Sequence, residues 1–204
     1  MSNLKQIGLA VSMYLSDYDD YYPNPGYPVA QDPVVSWFPS ALGPYVSQNR
    51  KVFKCPTSRD NQCWSASLSG KTYYFGYSMN NYIGRLPYYL ATLDPTWVAA
   101  GWYYNTARSI PYPHNTMLIM DNTRIDVSYA AACTTEMKTA RHNQNVYNWS
   151  LGTTNPDMGN AGHNYLFCDY HVEFVMMGKY VSSVWQGVNA RFGYAYFSPK
   201  MMKQ

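Results

Sequence analysis

The fold is decided by residues 2–23, which read SNLKQIGLAVSMYLSDYDDYYP. Lys5, Gln6 and Ser12 are expected to stay in water, on the polar face of an amphipathic helix. Pro23 restricts the residue before it and cannot continue a helix, so we predict that the helical segment covers residues 1–22 and that 23–204 form loops and a sheet. The apolar positions recur at helical spacing, and they are Leu4, Ile7, Gly8, Val11, Tyr14, Leu15 and Tyr18.

The sheet is predicted from three later stretches. Residues 71–84 are rich in aromatic residues with high strand propensity. Residues 113–121, PHNTMLIMD, contain a short apolar run bounded by turn formers, which indicates a buried strand. Residues 164–175, NYLFCDYHVEFV, predict an antiparallel hairpin that turns at Cys168–Tyr170. We expect the helix stripe Leu4–Ile7–Val11–Leu15 to cover an inner sheet face made by Met117, Ile119, Leu166 and Val172.

These stretches resemble segments of a known family. Residues 2–23 are similar to the segment that follows the membrane helix in bacterial pseudopilin-like proteins, which carry a type IV prepilin cleavage and methylation signal. The similarity is to the subgroup with an H-x9-D-G signature near the C-terminus. Residues 113–121 resemble its P-S-x-T-x-L-x-x-D strand, and residues 164–175 resemble its N-V-L-F-A-D-G-H-V hairpin. Arg141 and His142 match its arginine–histidine pair.

The chain departs from this subgroup in two places. The subgroup has nine residues between its histidine and aspartate, whereas 26 separate His142 from Asp169, so residues 143–160 look inserted. Tyr170 stands where the family has glycine. A tight turn there favours a positive φ that tyrosine resists, so we expect either a different turn type or a strained one.

The resemblance implies a single pilin-like α+β domain over residues 1–204, with an N-terminal helix packed on an antiparallel β-sheet of about four strands and with long loops. It implies a structural, non-enzymatic subunit of a type II secretion or type IV pilus-like extracellular fibre. The partners would be other pilin-like subunits and the secretion machinery. The native form would be anchored in the inner membrane through a hydrophobic helix that this sequence lacks, and it would end in the periplasm or outside the cell.

Composition excludes some other classes of protein. Charged residues make up 13% of the chain and aromatic residues 17%, which argues against disorder. The net charge is only +3 and no run of Lys and Arg occurs, so we expect no nucleic acid partner. No hydrolase, P-loop or dinucleotide-binding motif is present, and we predict no enzymatic activity.

Four cysteines invite a disulfide interpretation. Cys55 and Cys63 bracket a short polar loop and are the first expected pair, which leaves Cys133 with Cys168. Free buried thiols are the alternative. No pair has the C-x2-C spacing of a zinc knuckle.

Several residues are candidates for binding a ligand or metal. The long excursion at 85–113 carries Tyr88, Trp97 and Trp102, which suggest an extracellular binding module as the alternative function, with polysaccharide as the candidate ligand. Calcium is possible as a cofactor at oxygens of Asp121, Asp157 and Asn160; alternatively, Asp121 is a turn carboxylate that accepts hydrogen bonds from nearby backbone N–H groups. His142, His163, Asp169 and His171 are residue types that bind zinc or iron, but His163 and Asp169 would lie at opposite ends of one strand, which argues against a shared site.

Overall fold

One helix lies against a mixed but mainly antiparallel sheet. The structure is a computed structural model that describes residues 2–25, 38–56, 64–68, 71–80, 83–84, 106–121, 126–127 and 162–176. The helices are α1 (Ser2–Asp17) and α2 (Phe38–Ala41). The strands are β1 (Trp64–Leu68), β2 (Lys71–Phe75), β3 (Tyr77–Asn80), β4 (Met117–Asp121), β5 (Asp126–Val127), β6 (Gly162–Phe167) and β7 (Val172–Met176).

The main sheet has the strand order β5-β3-β4-β6-β7. Four of its strands, β3, β4, β6 and β7, pair antiparallel, and the two-residue β5 adds to the β3 edge in parallel. Strands β1 and β2 form a separate antiparallel pair. The described residues therefore confirm an α+β arrangement with a four-stranded antiparallel sheet.

Helix α1 buries one face against this sheet. Ile7 and Val11 are fully buried, as the helical spacing predicted, and α1 packs directly on β6. The burying face of the helix consists of Leu4, Ile7, Gly8, Ala10, Val11, Tyr14 and Leu15. Within the described residues, no helix combines the length and the apolarity needed to cross a bilayer.

The helix ends earlier than predicted, at Asp17. Tyr18, expected on the buried stripe, is 53% exposed, because the backbone has left the helix. Asp19 and Asp20 adopt left-handed backbone angles, with φ of 50° and 64°. The N–H of Asp20 donates to the carbonyl of Leu15 at 2.8 Å, which closes the last turn in the manner of a Schellman motif. The two aspartates thus stop the helix six residues before Pro23.

The inner face of the sheet is close to the predicted one. Ile119 lies opposite both Met79 on β3 and Leu166 on β6, and Leu166 lies opposite Val172 on β7, so these side chains share one face. All five residues of β4 are buried, Met117 among them, which shows that the centre of the sheet is covered on both sides.

Gly76 separates β2 from β3 because the chain passes close to another backbone there. Its N–H donates to the carbonyl of Phe53 at 3.0 Å. A Cβ at this position would overlap the backbone nitrogen of Cys55 and would lie 2.8 Å from the Phe53 oxygen. Only glycine fits this close approach.

The β6–β7 hairpin has a three-residue loop with one strained residue. The N–H of Tyr170 donates to the carbonyl of Phe167 at 2.9 Å, and the N–H of Phe167 donates to the carbonyl of His171 at 3.0 Å. This is the pattern of a tight turn followed by a left-handed residue. That residue is Tyr170, with φ of 70°, so both alternatives hold: the turn is of a different type from a two-residue turn, and tyrosine occupies its left-handed position.

Candidate functional site

A groove runs between α1 and the β6–β7 hairpin, and its volume is about 550 Å³. The helix contributes Lys5, Gly8, Leu9 and Ser12, which lie on one side of α1 at helical spacing. The hairpin contributes Tyr170, His171 and Val172. Leu9 and Val172 give the groove apolar surface, and Lys5 supplies a positive charge at the N-terminal end of the helix. We call this cavity the groove.

Tyr170 forms one wall of the groove, and its position depends on both elements. Its Cβ faces Gly8, where an added Cβ would lie 3.7 Å away. The Ser12 hydroxyl lies close to the Tyr170 side chain. Partial burial raises the pKa of the Tyr170 phenol, and the nearby Ser12 hydroxyl partly opposes that rise. The hydroxyl of Tyr170 is therefore neutral at physiological pH.

His171 is held by two neighbours on the same hairpin. Its Nδ1 lies 2.6 Å from Oδ1 of Asp169, and its backbone N–H donates to the same oxygen at 3.2 Å. The imidazole stacks on the Phe167 ring with centroids 4.3 Å apart and an interplanar angle of 4°. The carboxylate orients the imidazole, so His171 forms a rigid part of the groove wall.

Asp121 is buried at the end of β4 and ties that strand to β6. Its two carboxylate oxygens each accept the backbone N–H of Asn164 at 3.1 Å, and Oδ2 also accepts the Asn164 side-chain amide at 2.9 Å. Asp121 does accept a backbone N–H, but the prediction of a turn carboxylate bonded to nearby N–H groups is wrong, because the donor is Asn164 on the neighbouring strand β6. Asn164 was not singled out from the sequence.

Most of the other predicted ligand-binding residues fall outside the part of the chain that the structure describes. The calcium candidates Asp157 and Asn160 and the aromatic candidates Tyr88, Trp97 and Trp102 lie outside the described residues, as does His142. The backbone of His163 lies near the start of β6, and Asp169 follows its end, as expected. In the part of the chain that the structure describes, no cluster of three or more His, Cys, Asp or Glu side chains could hold a metal ion.

Cys168 is a buried free thiol beside Tyr22. The predicted Cys133–Cys168 disulfide is therefore wrong, because Cys168 is a free thiol enclosed in the core next to the Tyr22 ring. Cys133 itself lies outside the described residues. Burial raises the pKa of the Cys168 thiol, so it stays protonated and is not a nucleophile. Cys55 is also buried, and its expected partner Cys63 lies outside the described residues.

The Tyr22 hydroxyl is a buried polar group with an unfilled hydrogen-bonding requirement. Tyr22 is 1% exposed, and its hydroxyl has no hydrogen-bond partner among the described residues. The Cys168 thiol lies beside it, but the two groups do not meet the geometry of a hydrogen bond. Burial, followed by the Cys168 thiol, raises the pKa of Tyr22 far above its usual value.

A second surface feature follows α1 directly. We call residues Tyr18–Tyr21 the tyrosine turn. Tyr18 and Tyr21 are 53% and 51% exposed, and Asp19 between them is also exposed. Asp20 is bound to the segment at residues 107–108. Nε of Arg108 donates a hydrogen bond to Oδ2 of Asp20 at 2.6 Å, and the N–H of Ala107 donates to the Asp20 carbonyl at 2.9 Å.

Sequence reasoning missed both the groove and the tyrosine turn. Leu9 was an available signal, since it is an apolar residue outside the predicted helix stripe. The pair Asp19–Asp20 was another, because aspartate tolerates left-handed angles better than most residues. The groove itself could not be predicted, since its two walls are more than 150 residues apart in the chain.

Comparisons of the chain with protein-family models, with curated proteins and with solved structures each find no match.

Proposed function

We propose that this domain is the globular part of a pseudopilin-like structural subunit, which assembles with other pilin-like subunits into a type II secretion or type IV pilus-like extracellular fibre. In this proposal an upstream hydrophobic helix anchors the native protein in the inner membrane before assembly. The globular domain then decorates the outside of the fibre, in the periplasm or beyond the cell. The protein has no catalytic role.

One observation carries this proposal. The three stretches of sequence that resemble pseudopilin-like proteins are far apart in the chain, yet they pack together. Helix α1 packs on β6, β6 pairs with β4, and the β6–β7 hairpin closes the edge. A chance resemblance of separate segments has no reason to select three elements that share one interface.

The contacts of α1 also suit a mechanical role. Ile7 and Val11 are fully buried, and the Asn3 amide donates to the Lys54 carbonyl at 3.0 Å near the start of the helix. At the other end, the Tyr45 hydroxyl donates to Oδ2 of Asp17 at 2.7 Å. A helix held at both ends and along one face moves with its domain, so a pull on its N-terminus is transmitted to the sheet.

The test is made on the native gene product, with whatever sequence precedes residue 1, isolated from its own kind of cell. Mass spectrometry of the intact protein and of its N-terminal peptide is expected to show cleavage and methylation just before an apolar helix of about 20 residues. An N-terminus that begins at residue 1, or one left by an ordinary signal peptidase, would contradict the fibre proposal. It would favour an extracellular binding module, which a glycan-binding screen with Tyr88, Trp97 and Trp102 variants would then examine.

A further inference from the structure

The exposed apolar side chains of this domain are concentrated at one place. Among the described residues, the large hydrophobic side chains exposed to solvent are Leu9, Met13, Tyr18 and Tyr21, all on α1 or in the tyrosine turn. Single exposed apolar residues are ordinary, but a set confined to one helix and its end marks a contact surface. Two of them, Tyr18 and Tyr21, are about half exposed in the tyrosine turn, and Leu9 lies in the groove.

We infer that the tyrosine turn of one copy of this chain binds in the groove of a second copy. The rings of Tyr18 and Tyr21 would cover the apolar surface at Leu9 and Val172. Asp19 would face Lys5, which is exposed at the groove. The role of this contact in joining subunits of a fibre rests on the proposed function.

One charge on each surface is opposite in sign: Lys5 lines the groove, and Asp19 is exposed in the tyrosine turn. Lys5 lies at the N-terminal end of the exposed helix face, whereas Asp17 and Asp19 lie at its C-terminal end. Two copies placed side by side in the same register would bring like charges together. A copy displaced along the helix axis brings Asp19 near Lys5 and the tyrosine rings near Leu9, so the charge pattern favours this displaced arrangement.

Both surfaces are rigid before they meet. The Tyr18 ring stacks on Tyr14 with centroids 4.2 Å apart and an interplanar angle of 12°, and the N–H of Tyr21 donates to the Tyr18 carbonyl at 2.9 Å. A pre-organised tyrosine loses little conformational entropy on binding.

Backbone strain occurs at both surfaces as well. Asp19 and Asp20 in the turn have positive φ, and Tyr170 in the groove wall has positive φ. Such angles in non-glycine residues are found mostly where the surrounding structure or function requires them. At Asp19 and Asp20 they end α1, and at Tyr170 they bring the side chain beside Gly8 of the helix.

The contact is heterologous, because a turn binds a groove on a different part of the next copy. Such contacts do not close on themselves unless a rotation makes a ring, so they generate open chains. The surface involved is small, and we expect a dissociation constant on the order of 0.1–1 mM for the isolated domain. Within a fibre, neighbouring anchors would raise the effective concentration of each domain and make this weak contact sufficient.

Sedimentation velocity of the 204-residue chain measures the average mass of the species in solution. Protein concentrations from about 10 µM to about 1 mM cover the expected dissociation constant. Leu9→Glu places a negative charge in the groove, against Asp19. A double variant, Tyr18→Ser with Tyr21→Ser, removes the rings of the turn. Gln6→Glu is the matched control, because it adds the same charge to an exposed position of α1 that does not line the groove. Thermal melting checks that each variant is folded.

For the unmodified chain and for Gln6→Glu, the average mass of the sedimenting species is expected to rise steadily with protein concentration. For Leu9→Glu and for the double tyrosine variant, the association constant is expected to be at least 10-fold lower. Mixing the two disrupted variants is the decisive arm. The intact turn of Leu9→Glu can bind the intact groove of the tyrosine variant, but neither remaining surface can extend the chain, so the mixture stops at a 1:1 dimer. A monomeric chain at about 1 mM, unchanged association in the variants, or a mixture without dimers would each overturn the inference. Mass spectrometry of the native N-terminus tests the fibre proposal separately, so either result can stand without the other.

Discussion

Gly8 of α1 lies directly on Leu166 of β6, and a Cβ at Gly8 would be 2.9 Å from Cδ1 of Leu166. The helix therefore approaches β6 closely at this position. Leu166 is fully buried, so its side chain has little room to move away.

Gly8→Leu is expected to destabilise the domain by about 1–3 kcal/mol, because the larger side chain would push the helix away from β6. Urea-induced unfolding followed by circular dichroism measures this change. Ser16→Leu is the control, since it places the same side chain at an exposed position of α1. A Gly8→Leu protein as stable as Ser16→Leu would contradict the contact.

Ile7→Asp is expected to unfold the domain. Ile7 is fully buried in the hydrophobic core, and the substitution would leave a carboxylate there without a partner. A calorimetric scan should show no cooperative transition for this variant. Gln6→Asp, one position away on the exposed face, should melt close to the unmodified protein. An unchanged melting temperature for Ile7→Asp would show that α1 does not pack as described.

Tyr170→Gly is expected to be more stable than Tyr170→Ala by about 1 kcal/mol. Both variants lose the ring and its contact with Ser12, but only alanine retains the strain of a Cβ at φ of 70°. Comparing the two variants with each other separates backbone strain from side-chain packing. Equal stabilities would mean that the turn relaxes to a negative φ once the ring is removed.

Alkaline pH is expected to destabilise the protein through Tyr22. Its pKa is raised in the folded state, so above about pH 10 the unfolded chain loses a proton that the folded chain retains. The stability that this group contributes is complete below pH 10 and declines above it, by up to about 1.4 kcal/mol per pH unit. The urea midpoint should therefore fall between pH 9 and about pH 11.

Tyr22→Phe should reduce that fall and should leave stability at pH 7 unchanged or slightly higher, because the lost hydroxyl has no hydrogen-bond partner among the described residues. Tyr45→Phe is the comparison. Burial, then its hydrogen bond to Asp17, raises the pKa of Tyr45 to about 12, but this side chain is only half-buried. Tyr22→Phe should reduce the alkaline fall of the urea midpoint more than Tyr45→Phe does. The reverse order would contradict the attribution of that fall to Tyr22.

The regular elements could be predicted from the sequence because each follows a local rule. The spacing of Ile7 and Val11 predicted the buried face of α1, and the apolar run before Asp121 predicted β4. The end of α1 could not be predicted from Pro23, because Asp19 and Asp20 stop the helix through left-handed angles that compete with helical ones. At position 170 the sequence itself indicated that the turn would be unusual, since a tyrosine stands where a tight turn favours a glycine with positive φ.

The candidate site was beyond local rules. The groove needs a helix residue such as Leu9 beside a hairpin residue such as Val172, and no periodic pattern in the sequence relates the two. The partner of Asp121 was likewise hidden, because the Asn164 backbone N–H has no sequence signature. Long-range pairs of this kind depend on the topology of the sheet.

The packing of α1 on β6 has a consequence for how the protein is made. The helix is synthesised first, yet the strand that covers it follows about 150 residues later. At about 5–20 residues per second, the ribosome needs roughly 8–30 s to supply that strand. Segments Pro44–Val46 and Arg50–Phe53 also contact α1 and are made earlier, but the part of the apolar stripe that packs on β6 stays uncovered until β6 is made. The nascent chain therefore presents that part to chaperones or to a membrane surface. The interface between α1 and β6, which stabilises the finished domain, thus also sets how long α1 must be protected during translation.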